Sequence, residues 1–142
     1  MPYPEYLIAP MRQELTELGA YECRTPGDVD ATLKSPGVVM MIVNSVCGCA
    51  AAKARPGIGL ALAHDARPDV VATVFAGADV AATDRARQFF TGFPPSSPSV
   101  ALLRDGKLLY MMERRDIESR SAEMIADQLT LAFDKHCAPV AK

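Results

Sequence analysis

The chain has no tryptophan, and aromatic residues make up only 6% of its 142 positions. Neither charge sign dominates: 15 Lys and Arg stand against 17 Asp and Glu, for a formal net charge of -2. The basic residues are scattered among acids, so the cationic patch that grips phosphates is missing and no nucleic-acid partner is expected. No apolar run approaches the roughly 18 residues of a membrane span, so no membrane partner is expected either. The opening "MPYPEYLIAPMRQEL" lacks a basic n-region, a sustained apolar stretch and a small-residue cleavage site. No signal peptide is read there, and a cytoplasmic location is expected. Internal repeats and low-complexity tracts are also absent. Cysteine is sparse: Cys23, Cys47, Cys49 and Cys137. In a reducing compartment, closely spaced thiols point to catalysis or metal binding more than to a structural bridge. What is there is an ordinary globular balance, 49% hydrophobic and 23% charged. The length suggests one domain spanning 1–142, large enough to bury a core without staples.

Hydrophobic patterning predicts the elements. Residues 4–18 read as an amphipathic helix with Leu7, Met11, Leu15 and Leu18 on one stripe. Thr25 reads as the cap of a short second helix, with Pro26 at its first position and Asp28 in its first turn. These two helices form an N-terminal extension, 4–35. "VVMMIV" (38–43) reads as a strand buried on both faces. A helix is expected from about Cys47 to His64 with a kink at Pro56, then a second strand over 70–75 and a helix over 83–90. Two strands, 99–103 and 107–112, flank Asp105-Gly106, a strong hairpin signal. Ser121 caps a last helix whose buried face is Ile125, Leu129, Ala132 and Phe133. The β-α-β unit implies a parallel pair with a right-handed crossover. A mixed four-stranded α/β sheet with helices on both faces is the simplest solution.

That order is the order of the thioredoxin core, here expected over 38–137. Cys47 and Cys49 fall just after the first core strand, and Pro98 stands eight residues before the hairpin glycine Gly106. More specifically, the chain resembles the bacilliredoxins, the C-G-C branch of thioredoxin-like proteins. The matching words are "APMRQELTELG", "IVNSVCGCAA", "ARP", "TVFAGAD", "FFTG", "PPSSPSVALL" and "AFDKHC", running from residue 9 to 137. The resemblance implies a cytosolic thiol–disulfide oxidoreductase acting on S-thiolated or disulfide-bonded proteins. Members are associated with removing bacillithiol, a low-molecular-weight thiol, from mixed disulfides, and have also been described as disulfide isomerases. It also implies a cis Ser97–Pro98 bond lying against the redox pair, with the Ser97 backbone pairing with substrate backbone. No cofactor is implied.

The chemistry needs a thiolate. Cys47 falls at or next to a helix N-terminus, where free N–H groups favour an anion. It is expected to titrate below the free-cysteine value of about 8.5 and to be the nucleophile, with Cys49 as the resolving thiol. Gly48 is expected to ease closure of the small C-x-C ring, because glycine reaches backbone angles other residues cannot. The remaining strain should make the couple oxidising. Unlike thioredoxin, the strand before the motif holds no buried acid. Lys53 and Arg55 could favour the thiolate, although a solvated basic face is the preferred reading. Cys137 is expected near the opposite pole, since the last helix should carry it roughly 24 Å away at 1.5 Å per residue. Cys23 reads as a small apolar residue, and His64 and His136 as helix-end residues. Three alternatives stay open: an isomerase, a metal or iron–sulfur site using Cys47 and Cys49 with a third ligand, and a pure interaction module.

Overall fold

A computed structural model describes residues 3–138. Its elements are α1 (Glu5–Thr16), β1 (Tyr21–Glu22), α2 (Pro26–Leu33), β2 (Val38–Asn44), a π-helical turn (Ala50–Ala54), α3 (Arg55–Ala61), β3 (Val70–Phe75), α4 (Val80–Arg87), β4 (Ser99–Arg104), β5 (Lys107–Met112), α5 (Arg114–Glu118) and α6 (Ala122–His136). The sheet has five strands in the order β1-β3-β2-β4-β5, not the four expected. The extra strand, Tyr21–Glu22, lies parallel to β3 and is continued by a 2.8 Å bond from the Cys23 N–H to the Thr73 carbonyl. Two residues are too few to show a period of two, so β1 leaves no pattern to read. The segment 4–35 is therefore not purely helical. β2 runs parallel to β3 and antiparallel to β4, and β5 forms the hairpin edge. Asp105 (φ 53°) and Gly106 (φ 73°) both take the left-handed backbone that this tight turn requires.

All seven β2 residues are buried, as the apolar run predicts. Their alternation splits the core. Val38, Met40 and Ile42 join Ile58 of α3 and Ile125, Leu129 and Phe133 of α6. Val39, Met41 and Val43 face the opposite layer, with Val29 of α2 and Ala82 and Ala86 of α4. The Thr25 cap is present: its hydroxyl accepts from the Asp28 N–H at 3.1 Å.

α1 buries a face that only partly overlaps the one expected: Leu15 is buried and Met11 half-buried. Ile8, Arg12 and Leu15 point inward, while Leu7 and Leu18 are exposed. The reason is Arg12, a buried cation that an apolar stripe cannot reveal. It pairs with Asp79 at 2.7 Å and Glu5 at 2.8 Å and lies 5.3 Å from the Phe75 ring centre. Such burial is tolerated because the guanidinium is paired and hydrogen-bonded.

The helix expected over 47–64 also differs. Cys47 precedes it, and Ala50–Ala54 form a π turn closed by the Arg55 N–H on the Ala50 carbonyl, five residues back. Pro56 has no N–H to continue an α-helical ladder, and the wide turn sits directly before it. α4 begins three residues earlier than expected, and α5 was not foreseen.

Candidate functional site

β2 ends at Asn44, between β3 and β4, and delivers the chain into the loop carrying Cys47. The Cys47 carbonyl starts the following helical turn by accepting the N–H groups of Ala50 at 3.0 Å and Ala51 at 3.3 Å. Cys47 and Cys49 are both free thiols and both half-buried. Gly48 between them is exposed, its backbone is ordinary helix, and a Cβ there would meet nothing within 4 Å. In this dithiol form the fold makes no demand on glycine at that position.

In the loop before β4, the Ser97–Pro98 peptide is cis, and Pro98 is buried. The Ser96 hydroxyl accepts the Arg114 N–H at 3.3 Å, and the Arg114 guanidinium donates to the Ser97 carbonyl at 3.3 Å. Its Nε also lies 3.4 Å from Glu118.

Burial pushes the Cys47 thiol up. The Ser45 hydroxyl, the N–H groups of Ala50 and Cys49, and the Arg114 charge outweigh this and hold it below the ordinary thiol value. The Cys47 charge in turn pushes the Arg114 guanidinium's pKa up from its already high value. Arg114 is the site residue that sequence reading missed. The signal was Glu113 and Asp116, a capping box whose second carboxylate accepts the Glu113 N–H at 3.0 Å and starts α5 beside the thiols.

Native-state preference for the thiolate gives a signed pH dependence. Its stabilisation is present above the unfolded thiol's pKa and is lost as pH falls through the lower native value. Iodoacetamide alkylation of Cys47 is expected to rise through a midpoint below that of free cysteine. Arg114→Gln is expected to slow it about two- to threefold at neutral pH, a modest effect because the half-exposed charge is screened. Peptide mapping by mass spectrometry checks both.

The expected solvated basic face holds for Lys53 but not for Arg55. Lys53 donates to the Glu118 carbonyl. Arg55 is only 4% exposed and is bound among Glu14, Asn44 and Ser45. Cys137 lies near Asp69 and Arg104, at the end of the sheet where β2 begins. Burial pushes its thiol up to about 11, so it stays protonated at neutral pH. Cys23 is fully buried with its sulfur 3.5 Å from the Thr32 hydroxyl. His64 Nε2 lies 2.8 Å from Asp134. Among the described residues no group of three Cys, His, Asp or Glu is placed to hold a metal ion, and no helix is long and apolar enough to cross a membrane.

A bacilliredoxin of Koribacter versatilis is 53% identical over 140 residues, covering 98% of this chain and 97% of that protein. The chain belongs to the bacilliredoxin family. A bacilliredoxin of Geobacillus kaustophilus is 48% identical and covers 97% of each chain. One from Staphylococcus aureus is 44% identical, covering 95% of this chain and 93% of its own. Residues 3–137 match the family model described as disulphide isomerase. The crystal structure of Trxlp from Edwardsiella tarda EIB202 superposes with a TM-score of 0.54 at 18% identity, covering 78% of this chain and 99% of that one. The fold of this bacilliredoxin is thus thioredoxin-like. Family and fold together support a thiol–disulfide oxidoreductase.

Proposed function

We propose that this bacilliredoxin reduces mixed disulfides between proteins and bacillithiol or a similar low-molecular-weight thiol, in the cytoplasm. The Cys47 thiolate attacks the mixed disulfide, forming a Cys47 mixed disulfide and releasing one thiolate. The Cys49 thiolate then attacks the Cys47 sulfur, releases the second thiolate and closes Cys47–Cys49. That bond holds the two electrons' worth of oxidation, and a further thiol must reduce it. Ser97 and Pro98 line the approach, with the Ser97 backbone meeting the substrate chain. The reading rests on one observation above all: a thiol held below its ordinary pKa at the start of a helix. A second reading, disulfide isomerisation, draws support from the description of the matched family.

The test offers the reduced protein two substrates, a protein carrying one bacillithiol mixed disulfide and a protein with scrambled disulfides. Release of bacillithiol, followed by intact mass, is the expected result. Rearrangement of the scrambled protein with no release from the first would replace the reductase by an isomerase. Reaction with neither would sink both.

A further inference from the structure

Arg55 is a long cationic side chain buried to 4% exposure a few residues beyond the thiols, and the mechanism above does not use it. Its Nε donates to Glu14 of α1 at 2.9 Å. Its Nη1 donates to two acceptors, the Asn44 side-chain oxygen at 2.9 Å and the Ser45 carbonyl at 3.0 Å. Asn44, itself 2% exposed, also accepts the Ser45 N–H at 2.9 Å and donates through Nδ2 to the Met11 carbonyl of α1 at 3.1 Å. Ser45 is therefore held at both ends of its backbone, its N–H by Asn44 and its C=O by Arg55.

Ser45 in turn touches the thiol residue. Its hydroxyl accepts the Cys47 N–H at 3.1 Å. A hydroxyl has one proton to donate. The same hydroxyl is among the groups that hold the Cys47 thiol below its ordinary value, so its one proton serves the sulfur while its oxygen accepts the Cys47 N–H. The chain of contacts runs from α1 through Glu14 and Arg55 to Ser45 and ends at the Cys47 backbone.

We propose that Arg55 is a positioning residue, whose guanidinium fixes the Ser45 peptide so that the Ser45 hydroxyl stays aimed at the Cys47 sulfur. The inference rests on the reading of Cys47 as nucleophile. Arg55 acts through Ser45, not through its own charge on the sulfur. The charge that acts on Cys47 comes from Arg114 on α5. Lysine cannot replace it, because an ammonium lacks the planar fork that serves Glu14 on one side and two acceptors on the other. The N-terminal helix becomes part of the redox site by this route, although it contributes no reacting group.

The experiment follows alkylation of Cys47 against pH in the full chain, by peptide mapping, for wild type, Arg55→Lys, Arg55→Met and Val29→Ala. Val29 is a fully buried residue of α2, packed on the other face of the sheet, so its truncation loosens the fold without touching this chain of contacts. Arg55→Met is expected to slow Cys47 alkylation at neutral pH about tenfold, and Arg55→Lys about threefold, each with the midpoint moved upward. Val29→Ala is expected to keep the wild-type midpoint. Arg55→Lys retains the charge and serves if Arg55→Met does not fold. A wild-type midpoint in folded Arg55→Lys overturns the proposal, and so does an equal shift in Val29→Ala, which would make the effect mere loosening. Failure of the underlying reading looks different, since Cys49 would then outpace Cys47 in the wild-type protein alone.

Discussion

Cys47→Ser is expected to abolish thiol release from a protein mixed disulfide, by at least about 10³-fold, because a serine hydroxyl is a far weaker nucleophile at neutral pH than a thiolate. Cys49→Ser is expected to behave differently. It keeps the first step, since Cys47 and its hydrogen-bond donors are untouched, and then stalls with the small thiol joined to Cys47. Intact mass reads the two outcomes directly: no adduct for Cys47→Ser, and one accumulating adduct for Cys49→Ser. An active Cys47→Ser would remove Cys47 from the first step. Cys137 is not expected to rescue either variant, because burial at the far end of the sheet keeps its thiol protonated.

Opposite stability effects are expected at two glycines of α3 for the same substitution. Alanine is favoured over glycine in a helix interior by about 1 kcal/mol. At Gly57 that gain is overwhelmed. A Cβ would sit 2.7 Å from Ile125 Cγ2, 2.9 Å from Ile125 Cβ and 3.0 Å from the Ala122 carbonyl oxygen. Ile125 is fully buried and its Cβ is fixed to the backbone, so α6 must move away from α3. Overpacking of this kind costs about 1–3 kcal/mol, which leaves Gly57→Ala destabilising by up to about 2 kcal/mol. At Gly59 the nearest atoms are the Leu18 methyls at 3.6 Å, an ordinary contact. Gly59→Ala is expected to stabilise by up to about 1 kcal/mol. Chemical denaturation separates the two by about 1–3 kcal/mol on these figures. The same sign at both positions would mean that close approach of α3 to α6 is not what keeps Gly57 small.

β2 was legible because both of its faces are buried, which turns a strand into an unbroken apolar run. The hairpin was legible because two left-handed positions in succession demand residues such as Asp105 and Gly106. The thiol pair was legible from residue type and from its place after a buried strand. Arg12 and Arg55 were not, because hydrophobic periodicity scores a guanidinium as solvent-facing. Their partners, Asp79 for one and Glu14 and Asn44 for the other, stand far off in the chain. Arg114 reaches the thiols through α5, and five residues are too short to carry a helical period.

The π turn has a consequence for how the alanines after the motif can vary. An α-helix turns about 100° per residue. A turn closed five residues back holds one residue more than an α-helical turn would. Everything from Arg55 onward is thereby set back one angular step relative to the Cys49 end. That phase brings Arg55 under Ser45 while Gly57, Ile58 and Ala61 face inward. Any small residue could stand at exposed Ala51 or Ala52 and keep that phase. Removing one of them would swing the thiols out of step with the residues that brace them. At Ala51 and Ala52, then, the tally of residues matters more than their identity.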